Sequence, residues 1–142
     1  ELVWQIRADE PLTIKAHKYG GPFVRMPYRS NSRCSVRNET GKTGSDCEQS
    51  RAAWIAVTME LPDRPGAAGF VMSGDTSNQQ ERPLWRVDPE CGVGPVVVAQ
   101  ELTLEREDTR MWSFAFTCVT EQVGHEQAAY FHRLYTQEKE NA

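Results

Sequence analysis

Apolar and polar residues alternate along much of this chain. Leu2, Trp4 and Ile6 alternate with Val3, Gln5 and Arg7, and past Ala8-Asp9-Glu10-Pro11 the residues Leu12, Ile14 and Ala16 alternate with Thr13, Lys15 and His17. A period of two marks a strand with one buried face, so these runs predict a pair of strands around an Asp-Glu-Pro turn. Tyr19-Gly20-Gly21-Pro22 is a turn signal, and the stretch from there to about Ser50 is polar, with strand character only at Phe23 to Tyr28. Strand pattern returns at Trp54 to Leu61, with Ile55, Val57, Met59 and Leu61 on one face, and stops at Pro62-Asp63-Arg64-Pro65-Gly66. Each proline there fixes φ and removes a donor. Shorter runs follow at Ala68 to Ser73, at Leu84 to Val87 and in the alternating end of Val96 to Glu105. Met111 to Thr120 has the clearest alternation, with Trp112, Phe114, Phe116 and Cys118 on one face, and the charged segment Glu105 to Arg110 reads as a hairpin loop before it.

The segment from Gln127 to Gln137 fits two patterns. Tyr130 with Leu134, and Phe131 with Tyr135, have helical spacing among good helix formers, while the aromatic content and the Val123-Gly124 turn favour a closing strand. We read it as a strand, with a short C-terminal helix as the alternative. About eight short strands separated by Pro/Gly turns predict an all-β fold, an antiparallel β-sandwich or partly closed barrel, formed by a single domain over residues 1–142.

Composition narrows the function classes. Sixteen Lys/Arg against twenty Asp/Glu give a net charge of −4, which makes nucleic acid an unfavoured partner. The longest apolar run, Val96 to Ala99, falls far short of the roughly 20 residues of a membrane-spanning helix. The first residue is Glu1 rather than Met, as expected after removal of a targeting segment or excision from a longer chain. The four cysteines are separated by twelve, forty-three and twenty-six residues, unlike the clustered pairs of a zinc site. An even count suits two disulfides in an oxidising compartment. The expected pairing is Cys34–Cys47 with Cys91–Cys118, each worth about 3 kcal/mol. Asn38-Glu39-Thr40 is a glycosylation sequon in an expected loop, so the protein is expected to be secreted or periplasmic and is a candidate glycoprotein.

Motifs of catalysis are missing from the sequence. His125 and His132 are seven apart, unlike the His-Glu-x-x-His zinc motif, and Met72-Ser73-Gly74-Asp75 lacks the Gly-x-Ser-x-Gly elbow. Gly41 to Ser45 lacks the first glycine of a phosphate loop, and the acids Glu101 to Asp108 lack a calcium-loop pattern. No cofactor or metal is implied. Charge asymmetry is the more informative feature. Residues 1–51 hold nine Lys/Arg against six Asp/Glu, and residues 52–142 hold seven against fourteen. Arg25, Arg29, Arg33 and Arg37 recur at every fourth position, interleaved with Tyr19, Phe23 and Tyr28. Arginines fork onto carboxylate, sulfate or phosphate, and rigid aromatics supply contact area. The expectation is therefore a non-enzymatic binding module, of adhesion, inhibitor, immunity or receptor type, in which these seven residues recognise a protein or anionic glycan. Two readings compete with it. One is a small secreted hydrolase of ribonuclease-like chemistry, with His17 or His132 as acid/base and an arginine from 25–37 stabilising the anion. The other is a subunit of an extracellular assembly.

Overall fold

The computed structural model describes residues 1–27, 33–61, 65–74, 82–88, 90 and 92–141. The fold is all-β and antiparallel, sandwich-like rather than a closed barrel, with one helix at the C-terminal end. Eleven strands are described: β1 (Leu2–Arg7), β2 (Leu12–Ile14), β3 (Val24–Arg25), β4 (Cys34–Asn38), β5 (Ser50–Arg51), β6 (Trp54–Glu60), β7 (Ala67–Gly74), β8 (Leu84–Asp88), β9 (Gly92–Pro95), β10 (Leu102–Leu104) and β11 (Thr109–Val119), followed by the helix α1 (His125–Glu140). The first sheet has the order β1-β11-β7-β6-β4, the second β3-β9-β8-β5, and β10 pairs with β2 in a separate ribbon.

Alternation along β6 builds a three-layer body. Ile55, Val57 and Met59 join Phe70, Met72 and Phe114 of the first sheet against Trp85 and Val93 of the second. The opposite face of β6 and β7, Trp54, Ala56 and Val71, packs on Val123, Ala128 and Phe131. A strand covered on both faces loses its wet side, which is why Trp54 through Met59 are all buried. The expectation of a strand over Gln127–Gln137 is therefore corrected to helix. Ala128, Phe131 and Tyr135 form a stripe at i, i+3 and i+7 toward the sheet, and Tyr135 Oη lies 3.2 Å from Ser113 Oγ. Tyr130 and Leu134, the other helically spaced pair, stay exposed.

Two further expectations are corrected by the pairing. β1 and β2 do not pair with each other; β1 pairs with β11 and β2 with β10. Both ladders share one register, Leu2 opposite Phe114 and Leu12 opposite Leu104. The Ala8 amide donates to Asp108 O and the Glu107 amide to Ala8 O between them, so Glu105 to Arg110 is a step along one long ribbon, not a hairpin loop. On β11 the second sheet covers Phe114 and stops short of the strand's end. Phe116 is 37% exposed, against Phe70 at a centroid distance of 4.7 Å, and Cys118 is exposed although it shares their face.

The expected disulfides also change. Cys34 is disulfide-bonded, while Cys47 and Cys118 are free, so neither Cys34–Cys47 nor Cys91–Cys118 forms; Cys91 lies outside the described residues. The reason is where the loop after β4 returns. Asn38 Nδ2 donates to Ser50 Oγ, and its Oδ1 accepts from Thr40 N, Thr40 Oγ1 and Lys42 N, so the loop closes on the Asn38 end of β4. Cys34 sits four residues away at the other end, about 13 Å along an extended strand, beyond the roughly 7 Å that a disulfide spans between Cα atoms. The same network engages both ends of the Asn38 amide inside the fold, which leaves a glycan at the sequon no room. Alkylation of the native protein is expected to label Cys118 and to reach Cys47 only after unfolding. Cys47 is fully buried and burial pushes its thiol up from its ordinary value. Labelling of Cys47 in the folded protein, or of Cys34 without reductant, would contradict this assignment.

Candidate anion-binding site

Alternation along the second sheet decides which of its residues turn away from the core. Trp85 and Val93 are fully buried and Val87 packs on the same core, so Arg86 and the glycines Gly92 and Gly94 face outward. Arg86 stands opposite Gly94 across the β8–β9 pair, where there is no side chain to receive its hydrogen bonds. The strap of residues 20–25 lies over these glycines. A Cβ on Gly94 would stand 2.1 Å from Pro22 O, and one on Gly92 would stand 2.3 Å from Phe23 Cε1. Upstream, the turn at 17–20 closes with Gly20 N donating to His17 O, and docks through His17 N to Val98 O and Val97 N to Gly20 O.

These backbone devices produce a ladder of alternating cations and rings. Lys18 Nζ lies 4.7 Å from the Tyr19 centroid; Arg86 Cζ lies 4.2 Å from the centroids of both Tyr19 and Phe23; Arg25 Cζ lies 5.5 Å from Phe23. Stacking of guanidinium on ring faces is attractive and fixes the plane of its donors. The three cations are not equivalent. Arg25 is ion-paired to Asp88 at 2.8 Å and to Glu90 at 2.9 Å. Lys18 is held charged above its ordinary value, first by its hydrogen bond to Tyr19 and also by the nearby Glu48. The Glu48 carboxylate is itself engaged by the Val87 amide and by Gln49 Nε2. The Arg86 guanidinium makes no hydrogen bond or ion pair with any described residue, and its contacts are the two rings.

His17 adds a donor to the same rim. Its ring meets Tyr19 edge-on at 5.5 Å, and Nδ1 accepts from the Tyr19 amide at 3.2 Å, which in the neutral ring puts the proton on Nε2. The site thus offers donors from Arg86, Lys18 and His17.

Of the seven residues expected to form one recognition surface, Tyr19, Phe23 and Arg25 come together here. Arg33 and Arg37 do not join them. Arg33 precedes β4 and gives its carbonyl to Glu60 N, and Arg37 stands opposite Ala56, on the helix side of the first sheet. Tyr28 and Arg29 lie outside the described residues. The fourfold spacing of the arginines has no counterpart because an extended strand, with period two, carries the last of them. Arg86 was missed; its signal was its place between the apolar residues Trp85 and Val87 on a short strand, opposite Gly94.

The histidines divide between the two outer layers. His17 is on the second sheet's side, whereas His125 meets Trp54 edge-on at 5.0 Å and His132 sits half-buried on α1. Near His132, the Glu39 carboxylate accepts from Ala53 N at 2.8 Å and from Arg82 Nη1 at 2.7 Å. Burial lowers the His132 pKa below its ordinary 6.5; Glu39 opposes the shift, and Arg82 and Arg133 add to it. Its Nδ1 is buried without a hydrogen-bond partner among the described residues. In this case the unfolded chain takes up the proton more readily than the folded one. Stability is then complete above about pH 6.5 and falls as the pH drops toward the lowered folded value. Chemical denaturation at pH 7.5 and pH 5 is expected to show a smaller acid loss in His132→Gln than in the parent. An equal loss in both would assign the acid sensitivity to other groups.

Among the described residues no group of three His, Cys, Asp or Glu side chains is placed to hold a metal ion, and no helix is long and apolar enough to cross a membrane. No curated protein and no solved structure matches the chain. The family model of DUF6807, a family of unknown function, matches residues 2–132, and the chain belongs to that family.

Proposed function

We propose that this domain is a non-enzymatic binding module that captures an anionic partner at the Lys18–Tyr19–Arg86–Phe23 ladder. The observation that carries the reading is Arg86: a guanidinium stacked between two rings, with its donors unused by the described residues. A group held in one orientation before the ligand arrives loses little conformational freedom on binding, and a forked, charge-assisted contact to a carboxylate, sulfate or phosphate is among the stronger polar contacts. The hydrolase reading has weaker support, because among the described residues no imidazole is hydrogen-bonded to a carboxylate that would orient it as a base. Secreted or periplasmic placement remains our proposal, supported by the disulfide at Cys34.

Arg86→Ala is the test. Titration of immobilised polygalacturonate, a sulfated glycosaminoglycan and poly-glutamate should show binding to at least one of them by the parent. The variant should bind at least tenfold more weakly, with a flatter dependence on salt, because a screened charge has been removed. The loss of stability should stay within about 1–2 kcal/mol, because the half-buried guanidinium gives up two ring contacts of roughly 0.5–1 kcal/mol each and no ion pair. Arg86→Lys should lose most of the affinity too, because an ammonium keeps the charge and loses the planar fork. Unchanged affinity in Arg86→Ala with the fold intact would overturn the reading.

A further inference from the structure

We infer that the ligand of this site is an acidic oligosaccharide, bound at two points by Lys18 and Arg86; this rests on the binding reading above. The first argument is spacing. Both cations sit on the ring of Tyr19, Lys18 at 4.7 Å and Arg86 at 4.2 Å from its centroid, so the two charges stand less than about 9 Å apart. Acidic groups on the same or neighbouring sugar residues fall within such a span. The third cation of the ladder cannot extend the footprint, because Asp88 and Glu90 already neutralise Arg25 and place negative charge at that end. The ligand's anionic groups are therefore confined to the Tyr19 side.

The second argument is what the rim lacks. Protein partners are anchored by apolar and aromatic side chains that become fully desolvated at the centre of the contact. Among the described residues, the exposed large hydrophobics other than Tyr19 lie elsewhere: Leu2, Val3, Met111 and Phe116 on the first sheet, Leu12 on the β2–β10 ribbon, Tyr130 and Leu134 on α1. Tyr19 itself is occupied by Lys18, Arg86 and the edge of His17. What remains is a small polar rim of donors, with the His17 ring against the edge of Tyr19. That suits a ligand of hydroxyl and carboxylate or sulfate oxygens. A nucleic-acid strand fits less well, because its affinity grows with the number of phosphates neutralised and this chain carries a net charge of −4.

The experiment is calorimetric titration of the full chain, at two salt concentrations, with four probes: galacturonate monomer, a galacturonate oligomer of four or more units, a sulfated oligosaccharide of the same length, and an oligo-glutamate peptide of matching charge. The expected result is binding of an acidic oligosaccharide at least tenfold tighter than of both the monomer and the peptide, and at least tenfold loss of that affinity in both Lys18→Ala and Arg86→Ala. The carboxylated and sulfated arms identify which acid is read. If the peptide binds as tightly as the saccharides and its binding depends on Arg86, the saccharide inference is overturned while the anion-binding reading stands. Loss in Arg86→Ala with none in Lys18→Ala overturns the two-point geometry. If no probe binds, both readings fall.

Discussion

Trp85→Ala is expected to cost the fold about 3–5 kcal/mol, the range for removing a large aromatic from a closed core. Trp85 is fully buried between the two sheets and packs in the same cluster as Ile55, Met72, Val93 and Phe114. Its indole Nε1 also donates to Ala52 O at 2.8 Å, so truncation leaves both a void and a buried carbonyl without its donor. The backbone of the same residue accepts from Gln49 N, a residue with positive φ, so Trp85 also ties the turn before β5 to β8. Since domains of this kind are stable by only about 5–15 kcal/mol, the loss is a large fraction of the whole. Urea denaturation should show it as a shift in midpoint at constant slope. Phe116→Ala, the same chemical class at a site 37% exposed, should lose far less. A loss below about 1 kcal/mol at Trp85, or equal losses at the two sites, would mean that the second sheet does not close on the first as described.

The contrast between these aromatics shows what alternation reveals and what it omits. The period of two placed Trp112, Phe114, Phe116 and Cys118 on one face, and they do share it. How far along that face the second sheet reaches is a tertiary quantity, set by the lengths of β8 and β9 and by the strap above them, so the pattern could not separate buried Phe114 from exposed Phe116. The same limit applies to β6. Its Ile55-Val57-Met59 face was legible, but the pattern does not say what covers the opposite face, where α1 packs on Trp54 and Ala56. The helix itself was obscured because its buried stripe begins with Ala128, a residue too small to register as apolar periodicity beside Tyr130 and Leu134.

At the candidate site the legible part was chemical and the hidden part was topological. Tyr19, Phe23 and Arg25 stood out as aromatics and cations in one segment, and they do converge. The residue on which the site turns comes from β8, more than sixty positions further along, and only the sheet brings it between Tyr19 and Phe23. Conversely Arg33 and Arg37, close in sequence to the others, are carried away by β4 into a different layer. Nearness along the chain was a poor guide because the strap at 20–25 and strand β4 belong to different sheets.

The glycines under the strap give the most direct test of how fold and site are joined. Gly94→Val is expected to lower stability by about 1–3 kcal/mol, the usual cost of overpacking, and to abolish most binding although no cation is touched. The new Cβ would stand 2.1 Å from Pro22 O and 3.0 Å from Phe23 Cα, so backbone must move; a rotamer change is not enough. Lifting residues 22 and 23 withdraws the Phe23 ring from Arg86, which then keeps one stacking partner and regains the rotational freedom that the ladder removes. Gly92→Ala is the milder relative. Its Cβ meets Phe23 Cε1 at 2.3 Å and Cζ at 2.5 Å, atoms of a ring that can swing aside, so affinity should fall with a smaller loss of stability. Combining Gly94→Val with Arg86→Ala separates the site from the scaffold. If the glycine acts by holding the ladder, the double variant should bind acidic saccharide no more weakly than Arg86→Ala alone, while its denaturation midpoint still drops by the full Gly94→Val amount. Affinity losses that simply add would place the effect of the strap outside the Arg86 site, and unchanged binding in Gly94→Val would separate the ladder from recognition altogether.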